Sequence, residues 1–201
     1  MLTAGEGREK KASPDDSGLM DRVQGGDEAA LGELMERWEL PVKRLLARLV
    51  QNAAEADDLA QETFVRIWQQ REKFRAGAEF RPWMFAIAVN LARNRLRWGR
   101  RRPTVSLEEW SEGEKPETGG QRPENTVGAE GMERKERAVA VRDAVAALPV
   151  ELREALVLFE YEELSHNEIA TALGCTPKAV ETRIYRAREK LRLGLRRWLN
   201  A

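Results

Sequence analysis

One cysteine, Cys175, and one histidine, His166, stand in a chain of 201 residues. A single thiol excludes an internal disulfide, and the two residues together fall short of the Cys/His sets that hold zinc. No metal site, no catalytic constellation and no cofactor are therefore expected. Long apolar runs are missing as well. The longest, around Met84 to Val89, is far below the roughly twenty residues that a bilayer span needs, so membrane insertion is not expected. The opening MLTAGEGREKKASPDDSG has no apolar core of the secretory kind, which predicts a cytoplasmic protein. Neither the alternation of a half-buried strand nor an internal repeat is visible. Net charge is absent too: 34 Lys and Arg face 34 Asp and Glu, so partners must be read from where the charges lie.

What is present is helical periodicity. Leu31, Leu34, Met35 and Trp38 recur three and four apart, as do Leu45, Leu46, Leu49 and Val50, then Leu59, Phe64, Ile67 and Trp68, then Phe80, Trp83, Met84, Ile87 and Leu91. Asp27 and Pro41 stand as start signals at the heads of two such helices. Residues 1–18 mix Gly, Ser, Pro and both charges without periodicity and are expected as a disordered tail. Over residues 103–137 the pattern stops, prolines and glycines intervene and acids outnumber bases. A stretch of about thirty residues is too long for an ordinary loop within one domain, so it is expected as a flexible acidic linker. Periodicity returns with Val141, Val145, Leu148, Leu152 and Leu156, and again with Ile169, Leu173, Val180 and Ile184. The fold class expected is all-α: two small helical domains, residues 19–102 and 138–201, joined by that linker. A tether of this length permits either a compact or an open arrangement.

Zero net charge hides two basic patches. Arg93, Arg95, Arg97, Arg100, Arg101 and Arg102 follow Asn90 with no acid among them. Lys178, Arg183, Arg186, Arg188, Lys190, Arg192, Arg196 and Arg197 face only Glu181 and Glu189. Each is either a solvated helix face or the footprint of phosphate binding, and two of them beside other nucleic-acid signals point to DNA or RNA.

Residues 165–184 have the layout of a helix-turn-helix. Ser165 caps a first helix with Glu168 completing a capping box, Gly174 suits the left-handed helix end, and Thr176-Pro177 supply an N-cap and a proline at the first helical position. Ile169, Leu173, Val180 and Ile184 are expected inside, and Lys178, Glu181, Thr182, Arg183 and Arg186 outside, toward a major groove. A hairpin used only for packing is the bland alternative. His166 reads as a surface residue and Cys175 as a small buried one. In the other half, Asp58, Gln61 and Glu62 share one polar helix face. After it, Phe74, Arg75, Phe80, Arg81 and Trp83 interleave aromatics with arginines around a short loop. That combination suits single-stranded DNA, although core packing is expected for Trp83 and Phe85.

The segments DDLAQETFVRIW (57–68), FRAGAEFRPWMFAIAVNLARNRLR (74–97), LPVELREALVLFEYEELSHNEIATALGC (148–175) and VETRIYRAREKLR (180–192) resemble bacterial sigma factors of the sigma-70 family, specifically the small extracytoplasmic-function group. The resemblance implies a promoter-specificity subunit that is not an enzyme and takes no small-molecule substrate. Its first domain would dock on the clamp helices of core RNA polymerase through Asp58, Gln61 and Glu62, and melt the minus-ten element of promoter DNA. A flipped base, extruded at a cost of roughly a few kcal/mol, would fall to Phe74, Arg75, Phe80 and Asn90 with Trp83 behind them, and Arg93 and Arg97 would follow on the same DNA. The second domain would read the minus-thirty-five element with Lys178, Glu181, Thr182, Arg183 and Arg186, and the linker would thread the polymerase cleft. An anti-sigma factor masking both domains is implied as well. Glu181 departs from the family by placing a carboxylate where relatives often carry a base; it can accept from cytosine N4 or point away. His166-Asn167 likewise replaces a more usual aromatic-acidic pair. A free-standing helix-turn-helix regulator would leave the docking face unexplained, and a DNA-processing enzyme lacks a metal-binding carboxylate cluster despite Tyr161 and Tyr185.

Overall fold

The computed structural model describes residues 16–75, 77–101 and 129–199. Local chemistry sets the first corners. Helix α1 (Asp16–Gln24) meets α2 (Glu28–Val50) where Gly26 takes φ +90°, a value that a side chain would strain. Asp27 then caps α2 by accepting from the Ala30 amide at 3.1 Å. Gln51 ends α2 in the left-handed region, and Asn52 at once caps α3 (Ala53–Gln69) through the Glu55 amide at 3.1 Å. A short turn, Arg71–Lys73, leads to α4 (Phe80–Arg101). The C-terminal half contains α5 (Ala129–Ala146), α6 (Val150–Glu160), α7 (His166–Leu173), α8 (Pro177–Gly194) and α9 (Arg196–Leu199). Among the described residues there is no strand, as an all-α chain requires.

Three boundaries differ from the expectation. Helix α1 starts inside the supposed tail, because the Asp16 carboxylate is buried and accepts from the Arg37 guanidinium of α2. Residues 1–15 lie outside the described residues. Helix α5 likewise starts inside the supposed linker: Ala, Glu, Met, Lys and Arg favour helix strongly even where no apolar stripe announces it. Residues 103–128 of the linker lie outside the described residues. Pro41 does not begin a helix but lies within α2. A proline there removes one amide donor and crowds the preceding turn, yet packing of α2 against α1, α3, α4 and α6 overrides that local cost.

The two halves share one apolar core. Leu34, Leu45, Leu46 and Leu49 of α2, Ile67 of α3 and Met84, Phe85 and Val89 of α4 join Leu156, Leu158, Ile169, Val180 and Ile184 in a continuous buried cluster. Helix α4 packs on α7, and α2 on α6. Arg153 ties this junction: its guanidinium donates to the carbonyls of Leu49 at 2.6 Å, Ala146 at 2.6 Å and Leu148 at 3.1 Å. A cation thus satisfies carbonyls at the C-terminal ends of α2 and α5, where the helix dipoles favour positive charge. Replacing it with an apolar chain of similar length strands those acceptors in the interior. Arg153→Met is expected to lower the unfolding free energy by about 2 kcal/mol, read by urea titration of the full chain, and an unchanged midpoint would contradict this role.

Candidate nucleic-acid interface

The helix-turn-helix forms as its local signals dictate. The Glu168 amide donates to Ser165 Oγ at 3.3 Å, and the Ser165 amide donates to Glu168 Oε2 at 2.7 Å, closing the capping box. Gly174 ends α7 at φ 63°, and Thr176 Oγ1 accepts from the Ala179 amide at 3.2 Å to start α8 at Pro177. Ile169, Leu173, Val180 and Ile184 are all buried. Helix α8 is thereby held across α7 by its apolar side, which leaves its other side to solvent.

That outer side is not quite the one expected. Lys178, Glu181 and Arg186 are exposed, with Lys178 Nζ 2.8 Å from Glu181 Oε2. The hydrogen bond from Lys178 holds the Glu181 carboxyl below its ordinary range, so Glu181 is an anion and offers only acceptors. Thr182 is half-buried and donates its hydroxyl to the Lys178 carbonyl at 2.9 Å. Arg183 turns inward instead of toward solvent: Nη1 lies 3.6 Å from Cys175 Sγ and Nη2 3.9 Å from Glu151 Oε2 of α6. Cys175 is half-buried, less enclosed than its size suggests. His166 is also half-buried and stacks on Phe159 with ring centroids 5.3 Å apart. One residue, weighed in the sequence only for a DNA-processing enzyme, belongs with this outer side. Tyr185, 66% exposed, continues the stripe of Lys178 and Glu181 at helical spacing, and that spacing was the available signal.

In the other half, α3 presents Asp58 and Gln61 to solvent beside half-buried Glu62, whose carboxylate accepts from Arg66 Nε at 2.6 Å. Val65, also exposed, adds an apolar spot to this face. The aromatic-arginine loop is layered differently from the expectation. Phe74 and Phe80, 3% and 2% exposed, form the floor, and Trp83, 5.2 Å from Phe74 between ring centroids, lies over them at the edge of a groove. The expected order placed Trp83 behind; in fact each phenylalanine is drawn into the core because the loop between α3 and α4 is pinned down. Gln24 does the pinning, donating its amide to the carbonyls of Arg71 at 2.9 Å and Phe74 at 2.7 Å. Arg75 is exposed, and Phe85 is core, as expected. The groove over Trp83, about 790 Å³, is closed on its far side by Ser165, Asn167, Glu168 and Thr171 around α7.

Along α4, Asn90 and Arg97 are exposed, and Arg97 donates to Asn94 Oδ1 at 2.6 Å. Arg93 is committed elsewhere. Its Nε and Nη2 donate to the two carboxylate oxygens of Glu154 in α6 at 2.8 and 2.6 Å. Burial raises the Glu154 carboxyl above its ordinary range while Arg93 opposes, and the bond to Glu154 raises the Arg93 pKa in turn. Asn90, Arg93 and Arg97 thus line one cavity of about 430 Å³ together with Glu151 and Arg183 from the other half. Among the described residues no group of His, Cys, Asp or Glu is placed to hold a metal, and no helix is long and apolar enough to cross a membrane.

Two helical units, each offering a basic helix to nucleic acid, joined in one chain that also carries an acidic helix face, define a class of DNA-reading transcription factors. Comparison with known proteins narrows the class. Sigma-70 region 2 matches residues 34–102, and Sigma-70, region 4 matches residues 138–191. The RNA polymerase sigma-H factor of Pseudomonas aeruginosa is 36% identical over 181 residues, covering 88% of this chain and 91% of that protein. The ECF RNA polymerase sigma-E factor of Escherichia coli is 35% identical over 181 residues, covering 88% and 92%. Among solved structures, CnrH in complex with the cytosolic domain of CnrY superposes with a TM-score of 0.66 at 27% identity, over 90% of this chain and 96% of that one. RpoE of Bartonella quintana, in complex with the anti-sigma factor NepR, shares the fold with a TM-score of 0.61 at 21% identity, over 82% and 96%. The chain belongs to the sigma-70 family, in its extracytoplasmic-function group.

The junction also contains an acid with a consequence for pH. Burial pushes the Glu162 carboxyl up from its ordinary 4.5 to about 7, against the pull of Arg48, Arg81 and Arg44. The folded chain keeps a proton that the unfolded chain gives up near pH 4.5, so this group's stabilisation is full below that pH and is lost as pH rises through about 7. Between about pH 4.5 and 8 the wild type should lose about 3 kcal/mol of unfolding free energy relative to Glu162→Gln. Paired denaturation curves across that range check this, and parallel pH profiles would contradict it.

Proposed function

We propose that the chain is an alternative sigma factor: it binds core RNA polymerase and directs initiation at a particular set of promoters. The observation that carries this reading is the pairing in one chain of two basic helices of different design. Helix α8 is the second helix of a capped helix-turn-helix, suited to duplex DNA, and α4 runs out from an aromatic layer, suited to a melted strand. Asp58, Gln61 and Glu62 dock on polymerase. Phe74, Arg75, Phe80, Trp83, Asn90, Arg93 and Arg97 serve the minus-ten element, with Trp83 as the face nearest a captured base and the two phenylalanines supporting it. Lys178, Glu181, Thr182, Arg183 and Arg186 serve the minus-thirty-five element, and Tyr185 joins them. Residues 19–102 act as the first of two working domains and 138–201 as the second, with the linker between them in the polymerase cleft. The chain catalyses nothing itself, works in the cytoplasm where polymerase is, and is controlled by an anti-sigma factor. CnrH, similar over 90% of this chain, is held in complex with the cytosolic domain of another protein, which supports control by a protein partner.

The test is reconstitution. Full chain added to bacterial core RNA polymerase should form a stable complex that gives start-site-specific transcripts from the promoter upstream of its own gene. Asp58→Ala with Gln61→Ala, both on solvent and so harmless to the fold, should reduce that transcription at least about tenfold while leaving binding of the isolated chain to duplex DNA unchanged. Tight duplex binding beside no association with core would instead leave a free-standing regulator.

A further inference from the structure

Resting on that proposed function, the geometry of the junction raises a problem of reach. Asn90 and Arg93 on α4 and Arg183 on α8 line the same cavity, so the two promoter-reading helices touch one space. The minus-ten and minus-thirty-five elements differ by about 25 base pairs, or about 85 Å of duplex at about 3.4 Å per pair. The whole of α4, 22 residues, is only about 33 Å long at about 1.5 Å per residue. A chain closed in this way cannot hold both elements, so it has to open before it works.

What keeps it closed is informative. Arg93 forks onto both oxygens of Glu154 across the junction, and Glu154 is 1% exposed at its side chain. A carboxylate and a phosphate present the same pair of acceptor oxygens to a guanidinium, so while Glu154 holds Arg93 a promoter phosphate cannot. Around it, Arg81 donates to the Glu162 carbonyl at 2.5 Å and the Arg48 guanidinium lies 4.1 Å from the centre of the Tyr161 ring. Arginines of the first half thus close on acceptors of the second. A buried ionic contact of this kind often adds no more to stability than apolar packing of the same volume, and an anion that takes over the guanidinium releases it. Such a contact suits a joint that must release.

We propose that Glu154 is an internal stand-in for promoter phosphate. It occupies Arg93, holds the two halves together and shields α4 and α8 from stray DNA until polymerase and promoter displace it.

The test uses the full chain. In a Cys175→Ser background, Gln69→Cys and Lys190→Cys, both exposed, carry a fluorophore pair that reports the distance between the halves. Glu154→Gln keeps the volume and removes the charge. It should lower energy transfer and bind a promoter fragment melted at the minus-ten element, without polymerase, about tenfold more tightly than the unsubstituted background. Arg93→Gln should lower energy transfer equally but bind that fragment no better, because it removes the DNA group along with the latch. Circular dichroism establishes that both variants are folded. The proposal is overturned if Glu154→Gln stays closed, if it opens with no gain in DNA affinity, or if Arg93→Gln gains as much. Failure of the unsubstituted chain to initiate on core polymerase is a separate result: it would overturn the proposed function, whichever way the variants behave.

Discussion

Helix α4 has to serve two environments at once, and the rest of the molecule is arranged around that constraint. One side, with Met84, Phe85, Ala88 and Val89, is the centre of the first half's core. The other side carries Arg93, Arg95 and Arg97, and the sequence from Phe80 to Arg101 contains no acid, so no counter-charge is available within the helix. Neutralisation must come from elsewhere in the fold or from a ligand. Glu55 of α3 supplies it for Arg95 at 3.0 Å, and Glu154 of α6 supplies it for Arg93. The same electrostatic demand that fits α4 for a phosphate backbone therefore draws the second half onto it when no DNA is present. Closure and DNA binding are alternative answers to one excess of positive charge.

The second half meets its own demands differently. Its capping box, left-handed glycine and N-terminal proline act within a few residues, so the ends of α7 and α8 are set by local chemistry. Its attachment to the first half is polar at the rim and apolar at the centre. Arg153 satisfies carbonyl ends of α2 and α5, and a shared apolar cluster lies beneath. Such a junction is ordered in the closed chain, yet a competing anion can take the place of the Glu154 carboxylate on Arg93.

How far the sequence could be read follows from the range of each interaction. The turn at Gly174, the caps at Ser165 and Thr176 and the inward set Ile169, Leu173, Val180 and Ile184 were legible because every cue lies within one or two helical turns. The family was legible for a related reason, since its motifs are ordered blocks of such local patterns. Asp16 and Pro41 were misread because a partner some twenty residues away in sequence, and packing on several sides, decided their state. Of the candidate site, the outward Lys178, Glu181 and Arg186 and the polar face at Asp58 and Gln61 were visible from helical spacing alone. The inward turn of Arg183, the burial of Phe74 and Phe80 beneath Trp83 and the engagement of Arg93 by Glu154 were not. Each depends on a helix from another part of the chain, and periodicity carries no information about which helix will lie opposite.

The account makes closure of the free chain and separation on the promoter two states of one protein. Its most direct test is the distance between α4 and α8, measured by pulsed electron spin resonance with one label on each, in the free chain and in the promoter-bound holoenzyme. The free chain should give a single short distance, and the holoenzyme one longer by several tens of ångströms, as the spacing of about 25 base pairs at about 3.4 Å each requires. The same short distance in both states would contradict the account.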